Sequence, residues 1–407
     1  MLKRSALAAA AVFWLAAPGA AVEYSPIFGL QMMGGQYFFA GERGNLSGNA
    51  SALFAPAMKF NERWSLLPSI NAAYQGTKQV VDLVGSGTLF QEQMDHRVSV
   101  KAMYSPEGSL WRLKPGASFK YQLLKETKDE EWTKGLFDYR KYGAGFEAEY
   151  VYRDPFSFRM GLDYYRIEFP NYESLETNAA SVAGLARELS GGKVLDTHNF
   201  TASASLEGPV ITQRLILEGG GYVNYQTFPD QHIVDAAGAL TAPNREDFTS
   251  TIYSSRKMPT EFNPALRLLG AIAVSGSYNA SNQNSFDAAR TFYTPFYYNY
   301  GEIRTSPSAK LLIGRGKQPI IVGLGASYWY RRYPYRRVQD AEGRYQPSHL
   351  IQHNWMSSAS LTYPMAAHFN LLFNLQHGRA QSNQRYELTY KYNYSVTNYL
   401  FGFSYDF

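Results

Sequence analysis

The chain has 407 residues, with 39 Lys and Arg against 34 Asp and Glu, a net charge of +5 and no cysteine. Charged residues are only 18% of the chain and form no basic run, which argues against nucleic acid as a partner, and the lack of cysteine excludes a disulfide-stapled scaffold. Aromatic residues reach 15%, with 32 Tyr and 25 Phe, a composition that calls for many positions where a ring is dry at one end and wet at the other.

The first residues set Lys3 and Arg4 before an apolar run from about Ala6 to Ala17, followed by Pro18-Gly19 and the small pair Ala20-Ala21. This order predicts a secretory signal peptide over 1–21, because the run is shorter than the roughly 20 residues a spanning helix needs. Residues 22–407 are expected to form one domain, with the first strand close behind the cleavage site and no plug or periplasmic module ahead of it. No later apolar run approaches the length of a membrane helix.

From about residue 26 the pattern has period two. Trp64, Leu66, Pro68, Ile70, Ala72 and Tyr74 alternate with Ser65, Leu67, Ser69, Asn71, Ala73 and Gln75. Tyr142, Ala144, Phe146, Ala148 and Tyr150 alternate with Gly143, Gly145, Glu147 and Glu149, and after Asp154-Pro155 the alternation resumes with Phe156, Phe158, Met160, Leu162 and Tyr164. Such segments are half-buried strands, and ten or more residues is the length of a tilted membrane-spanning strand. Strands are predicted near 26–40, 45–60, 64–78, 94–104, 111–124, 137–153, 156–168, 194–207 and 212–227, then 247–258, 264–280, 295–313, 318–332, 349–363, 367–380 and 388–407. The joins between them alternate short and long. The longest, 169–193, carries a helix-like stretch beginning at Ser174, and 228–246 is long enough to act as a lid.

The last residues, YLFGFSYDF, put Tyr399, Phe401, Phe403, Tyr405 and Phe407 on one face and end on an aromatic. In hydrocarbon no backbone group can go without a partner, so a spanning sheet must close on itself, and this strand is expected to pair with the first. The terminal Phe after alternate aromatics resembles the C-terminal assembly signal of Gram-negative outer-membrane β-barrels. That resemblance implies an integral barrel in the bacterial outer membrane, recognised by the barrel-assembly machinery and surrounded by outer-membrane lipid and lipopolysaccharide. The fold class read from the sequence is all-β: a transmembrane antiparallel up-and-down β-barrel of about 16 strands, with short periplasmic turns, longer extracellular loops and both termini periplasmic.

If the apolar phase faces lipid, the lumen receives Arg97, Lys101, Arg112, Lys114, Lys120, Arg159, Arg214, Arg267, Arg304, Lys310 and Arg331, opposed by Glu147, Glu149, Asp163, Glu218 and Glu302. Two readings of this wall stand: a field that favours anions, or cross-strand ion pairs that stabilise the sheet. In YWYRRYPYRR the guanidinium groups of Arg331, Arg332, Arg336 and Arg337 suit lipopolysaccharide phosphates, while a plain aromatic girdle with solvated arginines explains the stretch without any ligand. His349 and His353 lie about 13 Å apart along a strand, too far for one metal ion. Asp196 and His198 are expected to share a strand face, without a nucleophile beside them, and neither catalysis nor a cofactor is implied. The functional expectation is a porin-like channel for passive diffusion of small polar or anionic solutes. The alternative is a barrel scaffold for export, assembly or surface interaction without solute flux. The loop 79–93 lacks the acidic clustering of general diffusion porins.

Overall fold

The computed structural model describes residues 22–153, 156–173, 186–209, 215–316 and 318–407. Alternation does what it promises: sixteen long strands run antiparallel to their sequence neighbours and close into a barrel. In chain order they are β1 (Phe28–Phe39), β2 (Asn45–Phe54), β3 (Trp64–Gln75), β4 (Glu92–Tyr104), β5 (Trp111–Lys125) and β6 (Tyr139–Arg153). There follow β7 (Phe156–Glu168), β8 (Thr197–Pro209), β9 (Ile216–Val234), β10 (Leu240–Asn263) and β11 (Leu266–Ser281). The ring is completed by β12 (Tyr300–Ile313), β13 (Ile320–Gln339), β14 (Tyr345–Ala366), β15 (Phe369–Ser382) and β16 (Tyr394–Asp406).

The seam joins β1 to β16 from Gly29↔Asp406 to Phe39↔Val396, and the Phe28 and Phe407 backbones exchange two further hydrogen bonds of 2.8 Å. Tyr399, Phe401, Phe403 and Tyr405 share the outward face of the closing strand. Gly402, on the inward face, lets the two backbones approach, since a Cβ there would run into the Met32 carbonyl. A short strand, Glu23–Ser25, pairs with Ala57–Lys59, so both ends of the described chain lie at the short-turn end.

The packing is inverted relative to a globule. Leu162, Ile252, Ile303 and Phe401 are 60 to 73% exposed on the outer wall, whereas the inward positions carry Asn, Ser, Gln, Lys, Arg and Glu. Outward aromatics gather at both rims: Trp64 against Tyr104 and Trp111 against Tyr150 at the turn end, Phe119 against Tyr142 and Tyr164 against Phe200 at the loop end, with ring centroids 4.6 to 5.1 Å apart. Among the described residues no helix is long and apolar enough to cross a membrane. An apolar outer wall between two aromatic rims on an edgeless sheet is the arrangement a bilayer requires.

Two segments read as long loops are instead tall hairpins. β9 and β10 run on to a turn at 235–239, and β13 and β14 to a turn at 340–344, each with register shifts above the wall. The bulges bend these hairpins over the mouth, so that Phe228, Gln231 and Val234, and likewise Tyr333, Arg336 and Val338, turn inward.

Candidate functional site

The lumen wall is chemically two-sided. On β4 to β10 the inward positions are charged, and most of the charge is paired. Lys114 lies 2.7 Å from Glu147 and 2.8 Å from Glu149, and Lys101 is 3.2 Å from Glu147. Arg159 bonds Glu149 at 3.0 Å and approaches Glu207 at 3.5 Å, while Arg112 reaches Glu149 at 3.8 Å. Lys257 bridges Glu207 and Glu218, which face each other across β8 and β9. Across the lumen, on β14 to β3, the inward residues include Asn374, Asn398, Asn49, Ser51 and Asn71, all uncharged. Against the charged wall lies an open space of about 750 Å³.

Of the charges read from the sequence, Arg97, Lys101, Arg112, Lys114, Lys120, Arg159, Glu147, Glu149 and Asp163 share this wall. Arg267, Arg304 and Lys310 lie on the inward face of β11 and β12, where Arg304 pairs with Glu302 at 3.2 Å. Arg214 falls outside the described residues, as do residues 174–185 of the helix-like stretch and the whole of 1–21. Lys141, Lys257 and Asp95 were not singled out. For Asp95 and Lys141 the signal was there, since they share the parity of Arg97 and Glu147 on the same strands.

The arginine cluster in YWYRRYPYRR needs correction. Arg331 points into the lumen, 2.8 Å from both Glu302 and Asp82, with its guanidinium over the Tyr300 ring at 4.2 Å. Arg336 is 4% exposed. Simple alternation turns Arg331 inward, and the register shift between Arg332 and Arg337 turns Arg336 inward as well. Neither can meet a lipid phosphate, and only Arg332 and Arg337 of the four remain exposed.

Asp196 and His198 also part company. Asp196 is buried, accepting the Phe169 N–H at 2.8 Å, while His198 faces outward, its Nδ1 2.7 Å from the Tyr164 hydroxyl. The described residues hold no group of three or more metal-ligating side chains.

The mouth at the loop end is roofed. The segment between β3 and β4 forms a small hairpin, Gln79–Asp82 with Gly87–Phe90, whose tip reaches β13, six strands away round the ring (β13, β14, β15, β16, β1, β2, β3). Arg336 fastens it, donating to the Gly85 carbonyl at 2.6 Å, to Ser86 Oγ at 2.8 Å and to the Tyr392 hydroxyl at 2.6 Å. Its charge meets no carboxylate within ion-pair distance among the described residues. Instead it lies 4.2 Å from the Tyr297 ring centre and 5.2 Å from that of Tyr333. Gly85 has φ +75° and leaves no room for a Cβ, which would lie 2.8 Å from the Tyr298 ring.

The foot of the same hairpin, Phe90, packs into an apolar cluster with Leu124, Phe137, Phe169, Leu189 and Val194. Beside it Glu188 is buried, accepting from the Tyr298 hydroxyl at 3.2 Å and the Phe286 N–H at 3.4 Å. Burial pushes its carboxyl up to about 7, only partly offset by these donors. The lid is therefore a small hydrophobic core of its own, built from segments far apart in the chain.

Closed sheet, apolar exterior, aromatic rims and polar interior together define an integral β-barrel of the outer-membrane class. No protein-family model matches the chain, and no curated protein does. Among solved structures it is similar to OmpT, an outer membrane protein of Vibrio cholerae, at 11% identity and TM-score 0.45, covering 97% of this chain and 99% of that one. It is similar to OccD3 of Pseudomonas aeruginosa at 8% identity and TM-score 0.45, covering 94% and 91%. A bacterial polysaccharide outer membrane secretin matches at 10% identity and TM-score 0.43, covering 94% and 98%.

Proposed function

We propose that the protein is a non-enzymatic outer-membrane channel for passive diffusion of small polar or anionic solutes, its turns and termini in the periplasm and its lid outside. The observation that carries this reading is the charged inner wall facing an open space of about 750 Å³. Among the described residues no apolar side chain fills that space, and water in it would carry solute past the ion-paired wall. The lid limits size, and the excess of inward cations over acids biases the field toward anions. The last strand serves as the assembly signal, and the exposed Arg332 and Arg337 remain to contact anionic lipid headgroups.

One observation favours a second reading, a scaffold without flux: the lid buries its own core, as a permanent closure would. Conductance of the refolded protein in planar bilayers under a salt gradient separates the two. Ohmic steps with anion preference support the channel. Absence of steps in protein shown to be folded overturns it in favour of the scaffold.

A further inference from the structure

On β4, β5 and β6 three inward cations stand in direct register: Arg97 opposite Lys120, and Lys120 opposite Lys141. Like charges facing each other across strands destabilise a sheet unless something neutralises them. Elsewhere on this wall the sequence does so. In the tier nearer the turns, Lys101, Lys114, Arg112 and Arg159 each have a glutamate within 4 Å.

The upper tier is left mostly unpaired. Asp95 pairs with Lys120 at 2.5 Å. Asp163 faces the same space but, among the described residues, forms no ion pair, and neither does Arg97 or Lys141. The Lys141 ammonium sits 3.5 Å from the centre of the Tyr165 ring, which screens it only weakly. Between the tiers the wall is made of small residues, Ser99, Gly116, Ser118, Gly143, Gly145 and Gly161, all bordering the open space. The row therefore overlooks room for a ligand and has hydroxyl groups beside it.

We propose that Arg97, Lys120 and Lys141 form a binding site for a small oxyanion, a phosphate or carboxylate group, beneath the lid. The Arg97 guanidinium offers a planar fork to two oxygens, while the two ammonium groups supply point charges from the neighbouring strands. The lower tier is structural and contributes little to selection. The inference deepens the channel reading and rests on it for the ligand's role as a transported solute, though the site itself does not require flux.

The test uses full-length refolded barrel in detergent, with inorganic phosphate as the probe in equilibrium dialysis and succinate as competitor. Saturable binding of one phosphate per barrel, displaced by succinate, is expected. The double variant Arg97→Gln, Lys141→Gln should weaken it about tenfold or more, and Lys101→Gln less than about twofold, all with wild-type heat-modifiable gel mobility. No saturable binding by folded wild type, or equal losses from the two tiers, would overturn the site. Phosphate binding without bilayer conductance would retain the site and sink the channel reading instead.

Discussion

Replacing Arg336 by Ala should release the lid. The guanidinium now donates to Gly85 O, Ser86 Oγ and Tyr392 OH, all at 2.8 Å or less, in a place where it is 4% exposed. Its removal strands the Gly85 carbonyl and leaves Ser86 Oγ and the Tyr392 hydroxyl only each other, 3.1 Å apart, and each buried polar group left short of a partner costs about 1–3 kcal/mol. Part is recovered, because a buried charge no longer has to be desolvated, leaving a net loss on the order of 3 kcal/mol. That corresponds to roughly a hundredfold shift in the ratio of closed to open lid. Hydrogen exchange over 79–91 reports the opening directly, and single-channel recording should show larger or longer-lived open steps. Arg336→Lys keeps the charge but loses the fork, so it should fall between the two. If exchange over 79–91 and the conductance are both unchanged in folded Arg336→Ala, the hairpin is not held by this residue and the account of the lid is wrong.

The lid should also respond to pH through Glu188. Its carboxyl sits at about 7 in the closed form against an ordinary 4.5, so closure is fully stabilised below pH 4.5 and weakens as pH rises toward 7. The loss amounts to on the order of 3 kcal/mol. Glu188→Gln should flatten that slope, read as pH-independent protection factors at 186–190 once intrinsic exchange is divided out. Phe401→Arg places a charge on the outer wall where the ring is 60% exposed, and should cost about 2–4 kcal/mol of folding into bilayers but little in a purely soluble protein. Refolding titrations into lipid vesicles measure it. Gly402→Ala sets a methyl group against the Met32 carbonyl at the seam and should lower the yield of heat-modifiable barrel, whereas Gly34→Ala, with open space around it, should not.

The barrel was legible because its information is local. Every strand carries its own period-two pattern, and the phase of the short and long joins fixes which end is which. The inward parity of Lys101, Lys114 and Glu147 follows from the same pattern, so the wall could be read as well. What could not be read is who pairs with whom among those charges, since side-chain geometry lets Lys114 bridge Glu147 and Glu149 at once. The lid was illegible for a different reason. Gly85, Glu188, Tyr298, Arg336 and Tyr392 come from five separate segments with no common period, and a register shift breaks the alternation just where Arg336 needed to be placed. The tall β9–β10 hairpin escaped because bulges disguise its strands as loop.

The seam between β1 and β16 has a consequence for how the molecule is made. The Tyr399 hydroxyl bonds to Gln36 across a sequence separation of 363 residues. Bringing such distant ends together costs about 5 kcal/mol of chain entropy, by the logarithmic rule for loop closure. The β1 edge stays unpaired through synthesis of the fifteen strands that follow, open to pairing with any other chain. Folding therefore has its slowest and most hazardous contact last, and the rate at which purified chains form barrels should be limited by this closure. Preassembled lipid or a helper that shelters the free edge would speed it, and crowding with unfolded copies would divert it into aggregates.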